Sequence, residues 1–567
     1  MVVYRLKQGV LCRNIVFMIR RFCLLFIVAS YVTVFSCNRK TDNQSDNQQL
    51  YIGENIAVAE TEYGKVRGYI LRNIYQFKGI PYGANTAGKN RFMPPQKPES
   101  WEGIRPVLNY GDMAPQAITY DRSPESASGF VDNWNFFNSS EDCLKLNVWT
   151  PALDGKKRPV LVWFHGGGFF NGNAIEQDGY GGENLSRYGD VVVCSVNHRL
   201  NVFGFTDLSK VGGDKYRDSG NVGILDLIAA LKWVNHNIKN FGGDPTNVTI
   251  MGQSGGGSKV SIIATMPAAK GLVHKAVALS GNSIKAANKK ISEELGEYIV
   301  KEAGLKASEI DKLQEMPWED YYELANAASK KFNIENKNSG HRGFSPVGDS
   351  RNIPSGTFFE PTDSTIPDIP MMYCTVKEER NPNRDNPELE NISLNGVITK
   401  LRPQYGDNAD IIVHTYASSF PEARPIEVWG MLTGVRSNVV RSANIKSAQK
   451  SPVYMAWFTW QPPLFDGRLR AFHCLDICFW LHNTDIMLTH TGGGKRPMEL
   501  SNKMSDALLA FMHNGNPNCK SLPNWPEYTP ENGEVMIFDD NCIVKNDPDR
   551  KARKVLENII NTSTVKD

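Results

Sequence analysis

Asn247-Val248-Thr249-Ile250-Met251-Gly252-Gln253-Ser254-Gly255-Gly256 is the stretch on which the reading of this chain turns. Its β-branched and apolar first half predicts a strand, and the small residues after Ser254 predict the start of a helix. Between them lies Gly-x-Ser-x-Gly, a pattern that sets a serine at the strained apex of a strand-to-helix turn. The flanking glycines tolerate the backbone angles and let strand and helix close together. A serine hydroxyl is a poor nucleophile unless it is held exposed beside a base, and such a turn holds it. The N-terminus of the following helix adds positive potential at the reacting carbonyl. Alone, the pattern also fits an ordinary glycine-rich loop, so its companions decide.

Upstream, Pro159-Val160-Leu161-Val162-Trp163-Phe164 reads as a buried strand and runs directly into His165-Gly166-Gly167-Gly168-Phe169. Three glycines in a row let the main chain approach a substrate and present N–H donors to the alkoxide of a tetrahedral intermediate. An isolated run of this kind is a turn after a strand. Placed before a Gly-x-Ser-x-Gly elbow, it reads as an oxyanion loop.

With these two motifs the chain resembles the type B carboxylesterases, which include cholinesterases and bacterial para-nitrobenzyl-type esterases. The likeness extends over residues 56 to 550 through an ordered series of matches. They include Phe77-Lys78-Gly79-Ile80-Pro81-Tyr82, Arg91-Phe92-Met93-Pro94-Pro95, Ser140-Glu141-Asp142-Cys143-Leu144, Asn197-His198-Arg199-Leu200-Asn201 and Phe241-Gly242-Gly243-Asp244-Pro245. The resemblance implies an α/β-hydrolase fold, with a large, mostly parallel sheet, helices on both faces and long irregular insertions around the active site. Strand-like runs alternating with helical patterns such as residues 225 to 238 agree with it.

In α/β-hydrolases the acid and then the histidine follow the nucleophile. Ile369-Pro370-Met371-Met372-Tyr373-Cys374-Thr375-Val376-Lys377-Glu378-Glu379 reads as a buried strand leaving into a polar loop. The family register puts the acid on Glu379, with Glu378 as the alternative. For the base, Phe472-His473-Cys474-Leu475-Asp476 is similar to the family's HGxE or HAxD segment and selects His473, with His482 second. His165 is expected to organise the oxyanion loop. The resemblance assigns the oxyanion donors to Gly167, Gly168 and Gly255. Two departures stand out: Gln253 replaces the usual Glu and removes a charge near the site, while Gly255 replaces the usual Ala and is expected to loosen the elbow.

The 567 residues contain no repeat, linker or long charge block after residue 55, and 41 % hydrophobic content suffices for one large core. We therefore expect one catalytic domain over residues 56–560. The net charge of +2 gives no reason to expect nucleic acid as a partner. At the N-terminus, Arg20-Arg21 precedes an apolar run that ends in Val34-Phe35-Ser36-Cys37. Residues 1–37 read as an export signal of lipoprotein type, with Met18 a second candidate start and Cys37 the lipidated residue. Ordinary signal cleavage or a retained anchor is the alternative. Residues 38–55 read as a flexible polar tether. Export implies the bacterial cell envelope, in the periplasm or at the outer membrane.

In many relatives the cysteine matching Cys143 forms a disulfide with one at the position of Ala114, so that bridge is excluded here. Cys519 with Cys542 is a candidate exported-protein disulfide. Cys474 and Cys478 lack the second pair a zinc site needs. By resemblance, Arg91 with Glu141 and Arg199 with Asp226 form structural ion pairs. Phe169, Phe170, Trp134, Trp457 and Trp460 are candidates for pocket lining, core being the ordinary place for such rings. Leaving-group choice is assigned to irregular loops at 120 to 138 and 381 to 425.

The expected activity is serine-dependent hydrolysis of carboxylic esters through an acyl-enzyme, using Ser254, His473 and Glu379. The substrate is a small-molecule or polymer-linked ester, and neither cofactor nor metal is required. The alternatives are a partner-binding member of the family without catalysis, or a lactonase or polysaccharide de-esterase using the same triad.

Overall fold

Apolar and β-branched runs form the central strands Arg158–Phe164, Val192–Val196, Lys275–Leu279, Met371–Val376 and Val453–Phe458, because each is covered on both faces and needs no polar side. In the computed structural model the described residues are 48–564, without 118–137, 282, 337–342, 360–364, 381–382, 384–385 and 433. The chain divides after Tyr51, and the fold and site lie in the unit Ile52–Asp567. The export signal, the tether up to residue 47 and Trp134 lie outside the described residues.

The main sheet comprises β1 (Tyr69–Leu71), β2 (Ile74–Pro81), β3 (Lys145–Thr150), β4 (Arg158–Phe164), β5 (Val192–Val196), β6 (Gly243–Gln253), β7 (Lys275–Leu279), β8 (Met371–Val376), β9 (Val453–Phe458), β10 (Glu534–Phe538) and β11 (Ile543–Asn546). Their spatial order is β1-β2-β3-β5-β4-β6-β7-β8-β9-β10-β11. From β5 across to β10 the strands run parallel, and both flanks are antiparallel. A smaller separate sheet joins Val58–Thr61, Gly64–Arg67 and Ile104–Pro106.

The period of two along β4 shows why both faces are covered. Val160, Val162 and Phe164 enter one apolar core, while Leu161 and Trp163 enter the other. Helix α1 (Val222–Asn237) supplies Ile224, Leu227 and Leu231 to the first core. On the opposite face, Leu500, Met504, Leu508 and Phe511 belong to a long helix, Lys495–Asn514. In register, Gly252 of β6 stands opposite Phe164 of β4, so the loops after these strands leave from the same carboxyl edge. Open α/β sheets place ligands at that edge.

Both expected ion pairs form. Arg199 grips Asp226 of α1 through Nε–Oδ2 at 2.9 Å and Nη2–Oδ1 at 2.7 Å. Arg91 grips Glu141 through Nε–Oε1 at 2.7 Å and Nη2–Oε2 at 2.6 Å, and its Nη1 also donates to the carbonyls of Leu313 and Met316.

Two sequence expectations fail. Residues 381 to 425 are not an irregular loop: Leu394–Tyr405 and Asn408–Ser419 are helices. Val397, Ile398 and Leu401, then Ala409, Ile412, Val413 and Tyr416, recur at helical spacing and are buried. The disulfide expected between Cys519 and Cys542 is absent: Cys519 Sγ lies 3.3 Å from Ser521 Oγ, and Cys542 Sγ points to the Asp539 carbonyl.

Candidate active site

Strand β6 ends at Gln253, and α2 (Gly255–Ile263) begins one residue later. Ser254 between them has φ 56° and ψ −122°, a conformation a residue with a side chain rarely takes. The strain is held by main chain, since Ser254 N–H donates to the Leu279 carbonyl of β7 at 2.8 Å. Glycine at 256 is required by space: a side-chain carbon there would lie 2.1 Å from the Phe164 carbonyl oxygen.

The loop after β4 folds directly over this elbow. Gly167 and Gly168 have φ values of 75° and 62°, the left-handed region that favours glycine. Among the described residues, no main-chain acceptor takes the N–H groups of Gly167 and Gly168. Gly255 abuts Gly168 so closely that a methyl at 255 would come within 2.1 Å of Gly168 O and 2.5 Å of Gly168 N. The extra glycine therefore does not loosen the elbow, because the main chain of the neighbouring loop occupies the space.

Glu378 and Glu379 diverge after β8. Glu378 is fully buried, lies 3.2 Å from Lys377 Nζ and accepts from the Ala471 N–H. Glu379 instead meets His473, Oε2 to Nδ1 at 2.5 Å. That contact commits Nδ1–H to the carboxylate and leaves the lone pair of the neutral imidazole on Nε2. His482 is occupied elsewhere, stacked on Tyr188 and bonded to Asn502 Oδ1 at 2.9 Å. His165 is buried, and burial pushes it well below the usual imidazole value, so it is neutral.

Burial opposes protonation of His473, whereas the charges of Cys474 and Glu379 favour it, and the balance lies well above 6.5. Burial also raises the Cys474 thiol above its usual value, which leaves the sulfur uncharged at neutral pH. Glu379 is then the charge that acts on the imidazole. Below this pair, burial and the Glu379 charge push Asp476 up to about 7.

Gln253 proves to be a contact residue. Its Nε2 lies 3.2 Å from His473 Nε2, and its Oε1 accepts from Cys474 Sγ–H at 3.1 Å. The sequence marked Gln253 as a departure but carried no sign of this contact, which joins positions 221 residues apart. Cys474 holds a φ of 75°, at a position where the family motif carries Gly or Ala. Of the aromatic candidates, Phe170 is exposed beside Gly168, and Phe169 packs edge-on against Phe205. Trp457 and Trp460 are buried, their indole N–H groups bonded to Val376 O and Asp540 Oδ1, and they are core.

The Carboxylesterase family model matches residues 55–555. The chain belongs to this family. It is 31 % identical to the para-nitrobenzyl esterase of Bacillus subtilis (strain 168) over 512 residues, covering 88 % of this chain and 98 % of the relative. It is 29 % identical to the phenmedipham hydrolase of Pseudarthrobacter oxydans over 85 % of this chain and 95 % of the relative. Among solved structures, an esterase from anaerobic Clostridium hathewayi that can hydrolyze aliphatic aromatic polyesters superposes with a TM-score of 0.75. That pair shares 35 % identity over 90 % of this chain and 100 % of the other. The protein is a type B carboxylesterase and hydrolyses carboxylic esters.

In this carboxylesterase the Gly255–Gly168 contact is directly testable. Gly255→Ala forces the Gly168 main chain back, and kcat on a para-nitrophenyl ester is expected to fall about a hundredfold, the scale of losing one oxyanion donor. KM should change little. An alanine variant with the parental kcat would show that Gly168 retreats without cost.

Proposed function

We propose that Ser254 is the nucleophile, His473 the general base and acid, and Glu379 the residue that orients the imidazole. The N–H groups of Gly167, Gly168 and Gly255 form the oxyanion hole. The observation that carries this reading is the Glu379–His473 pair lying against residue 253, beside a serine held at φ 56°.

Ser254 Oγ attacks the ester carbonyl carbon as its proton passes to His473 Nε2, and the carbonyl oxygen becomes an alkoxide in the hole. Collapse expels the alcohol, which takes the proton from His473. Water then gives a proton to His473 and attacks the acyl-enzyme, releasing the acid and restoring Ser254. The carboxylate of Glu379 stabilises the imidazolium formed in each half-reaction.

Aromatic esters are the substrate class we favour. The support is the exposed Phe170 beside the oxyanion loop and the relatives that act on para-nitrobenzyl esters and aliphatic aromatic polyesters. We also retain the reading of residues 1–37 as an export signal, 38–55 as a tether to a lipid on Cys37, and 56–560 as the catalytic domain in the cell envelope. Its support is the basic, apolar and Ser36-Cys37 sequence pattern.

A fluorophosphonate probe tests the site. Ser254 Oγ should displace fluoride to form an O–P bond, and the labelled peptide should map to residue 254. Labelling elsewhere, with Ser254 unmodified, would reject the assignment.

A further inference from the structure

Behind the oxyanion loop lies a buried lysine that the reaction above does not use. Lys259 is on α2, one and a half turns after the elbow, and has no solvent exposure. Its ammonium donates to the His165 carbonyl at 2.9 Å and lies 3.5 Å from the Gly166 carbonyl. A buried ammonium is costly unless it is paired and hydrogen-bonded, so its presence against these carbonyls calls for a role. The Gly166 carbonyl shares a planar peptide unit with the Gly167 N–H, and in a trans peptide the two point in opposite directions. Holding that oxygen on the lysine side therefore turns the Gly167 N–H to the opposite side.

A counter-charge is built in. Glu176 is buried; its Oε1 accepts from the Tyr180 hydroxyl at 3.0 Å, and its Oε2 has no hydrogen-bond partner among the described residues. A side-chain carbon at Gly172 would touch both His165 Nδ1 and Glu176 Oε2, which places this carboxylate under the same loop. His165 and His198 stack at 5.0 Å beside it.

We propose that Lys259 is a positioning residue for the oxyanion hole: by holding the His165 and Gly166 carbonyls from behind, its ammonium fixes the Gly166–Gly167 peptide and aims the Gly167 N–H at the reacting carbonyl. Glu176 keeps that ammonium charged. The inference rests on the assignment of Gly167 as an oxyanion donor.

The titratable groups around Lys259 are His165, His198 and Glu176, with Tyr180 and Cys474 beyond. Burial, and then the charge of Lys259, hold both histidines well below 6.5. Burial raises Tyr180 and Cys474 above their usual values. These four are uncharged near neutrality. Burial brings Lys259 down to about 7 against the opposing pull of Glu176, and burial raises Glu176 to about 7. Activity needs His473 without its proton and Lys259 with one. The rate is therefore bell-shaped in pH, with the imidazole setting one side and the ammonium the other.

The test uses the full chain carrying Lys259→Met, which keeps the length of the side chain and removes its charge. We expect kcat on a para-nitrophenyl ester to fall about tenfold or more, with KM within about twofold of the parent. A trifluoromethyl ketone forms a tetrahedral adduct, with a new bond from Ser254 Oγ to its carbonyl carbon and an alkoxide in the hole. Its affinity should weaken by a similar factor. A folded Lys259→Met enzyme with parental kcat and ketone affinity overturns the proposal. If that variant does not fold, Glu176→Gln decides, because loss of the carboxylate should move the side of the bell set by Lys259 to lower pH. A bell with both sides unmoved then overturns the proposal. Fluorophosphonate separates the two readings: an unlabelled parent rejects the site itself, while a labelled parent with an indifferent Lys259→Met rejects only the role of the lysine.

Discussion

A Ser254→Ala enzyme should hydrolyse a short-chain para-nitrophenyl ester about 10⁴- to 10⁶-fold more slowly than the parent, the range for loss of a triad nucleophile. The size of the effect follows from the cooperation of the parts. On the proposed assignment, loss of Oγ removes the acyl-enzyme, and His473, joined to Glu379 at 2.5 Å, has no serine proton to take. A residual rate over water should survive, because the oxyanion loop still binds and polarises the carbonyl. The substitution removes one oxygen and leaves Cβ in place, so circular dichroism and the melting temperature should match the parent. Progress curves at equal enzyme concentration give the ratio directly, and a folded variant within tenfold of the parent would remove Ser254 from the mechanism.

The largest effect on stability is expected at Asp226. Its side chain is fully buried, and it meets Arg199, 1 % exposed, through two side-chain contacts and the Arg199 N–H at 3.0 Å. Asp226→Ala leaves a guanidinium in the interior with no counter-charge in that grip, and Arg199 Nη1 already lacks a hydrogen-bond partner among the described residues. Breaking such a pair costs about 3 to 5 kcal/mol, a large share of the stability of an ordinary protein. The expected results are a much lower urea midpoint and a poor yield of folded enzyme. Replacing both partners, as Arg199→Met with Asp226→Leu, should cost less than the single change, because no charge remains buried. If Asp226→Ala unfolds at the parental midpoint, the pair is not structural.

Much of the site was legible because its signals are local. The elbow needs small residues on both sides of Ser254, and the loop after β4 needs glycine at positive φ, so each requirement is written within a few positions of the sequence. Glu379 was separable from Glu378 only through the family register, since a Lys-Glu-Glu cluster looks the same whichever carboxylate turns inward. In the first of the helices within 381–425 the apolar spacing is interrupted by Gly396 and Pro403, residues that ordinarily weaken or break a helix. Lys259 left no trace: a lysine on a helix is ordinarily solvated, and the carbonyl it holds belongs to a residue 94 positions away. The contact of Gln253 with Cys474 was hidden for the same reason.

Main chain meets main chain where Gly255 touches Gly168. A designer who wishes to widen the substrate range therefore has no side chain to trim at that spot, and enlarging either residue only spoils the fit. Adaptation to bulkier acids or alcohols is channelled to the rim, where Phe170 stands open to solvent. The reaction centre and the selection of what reaches it can then evolve on separate residues.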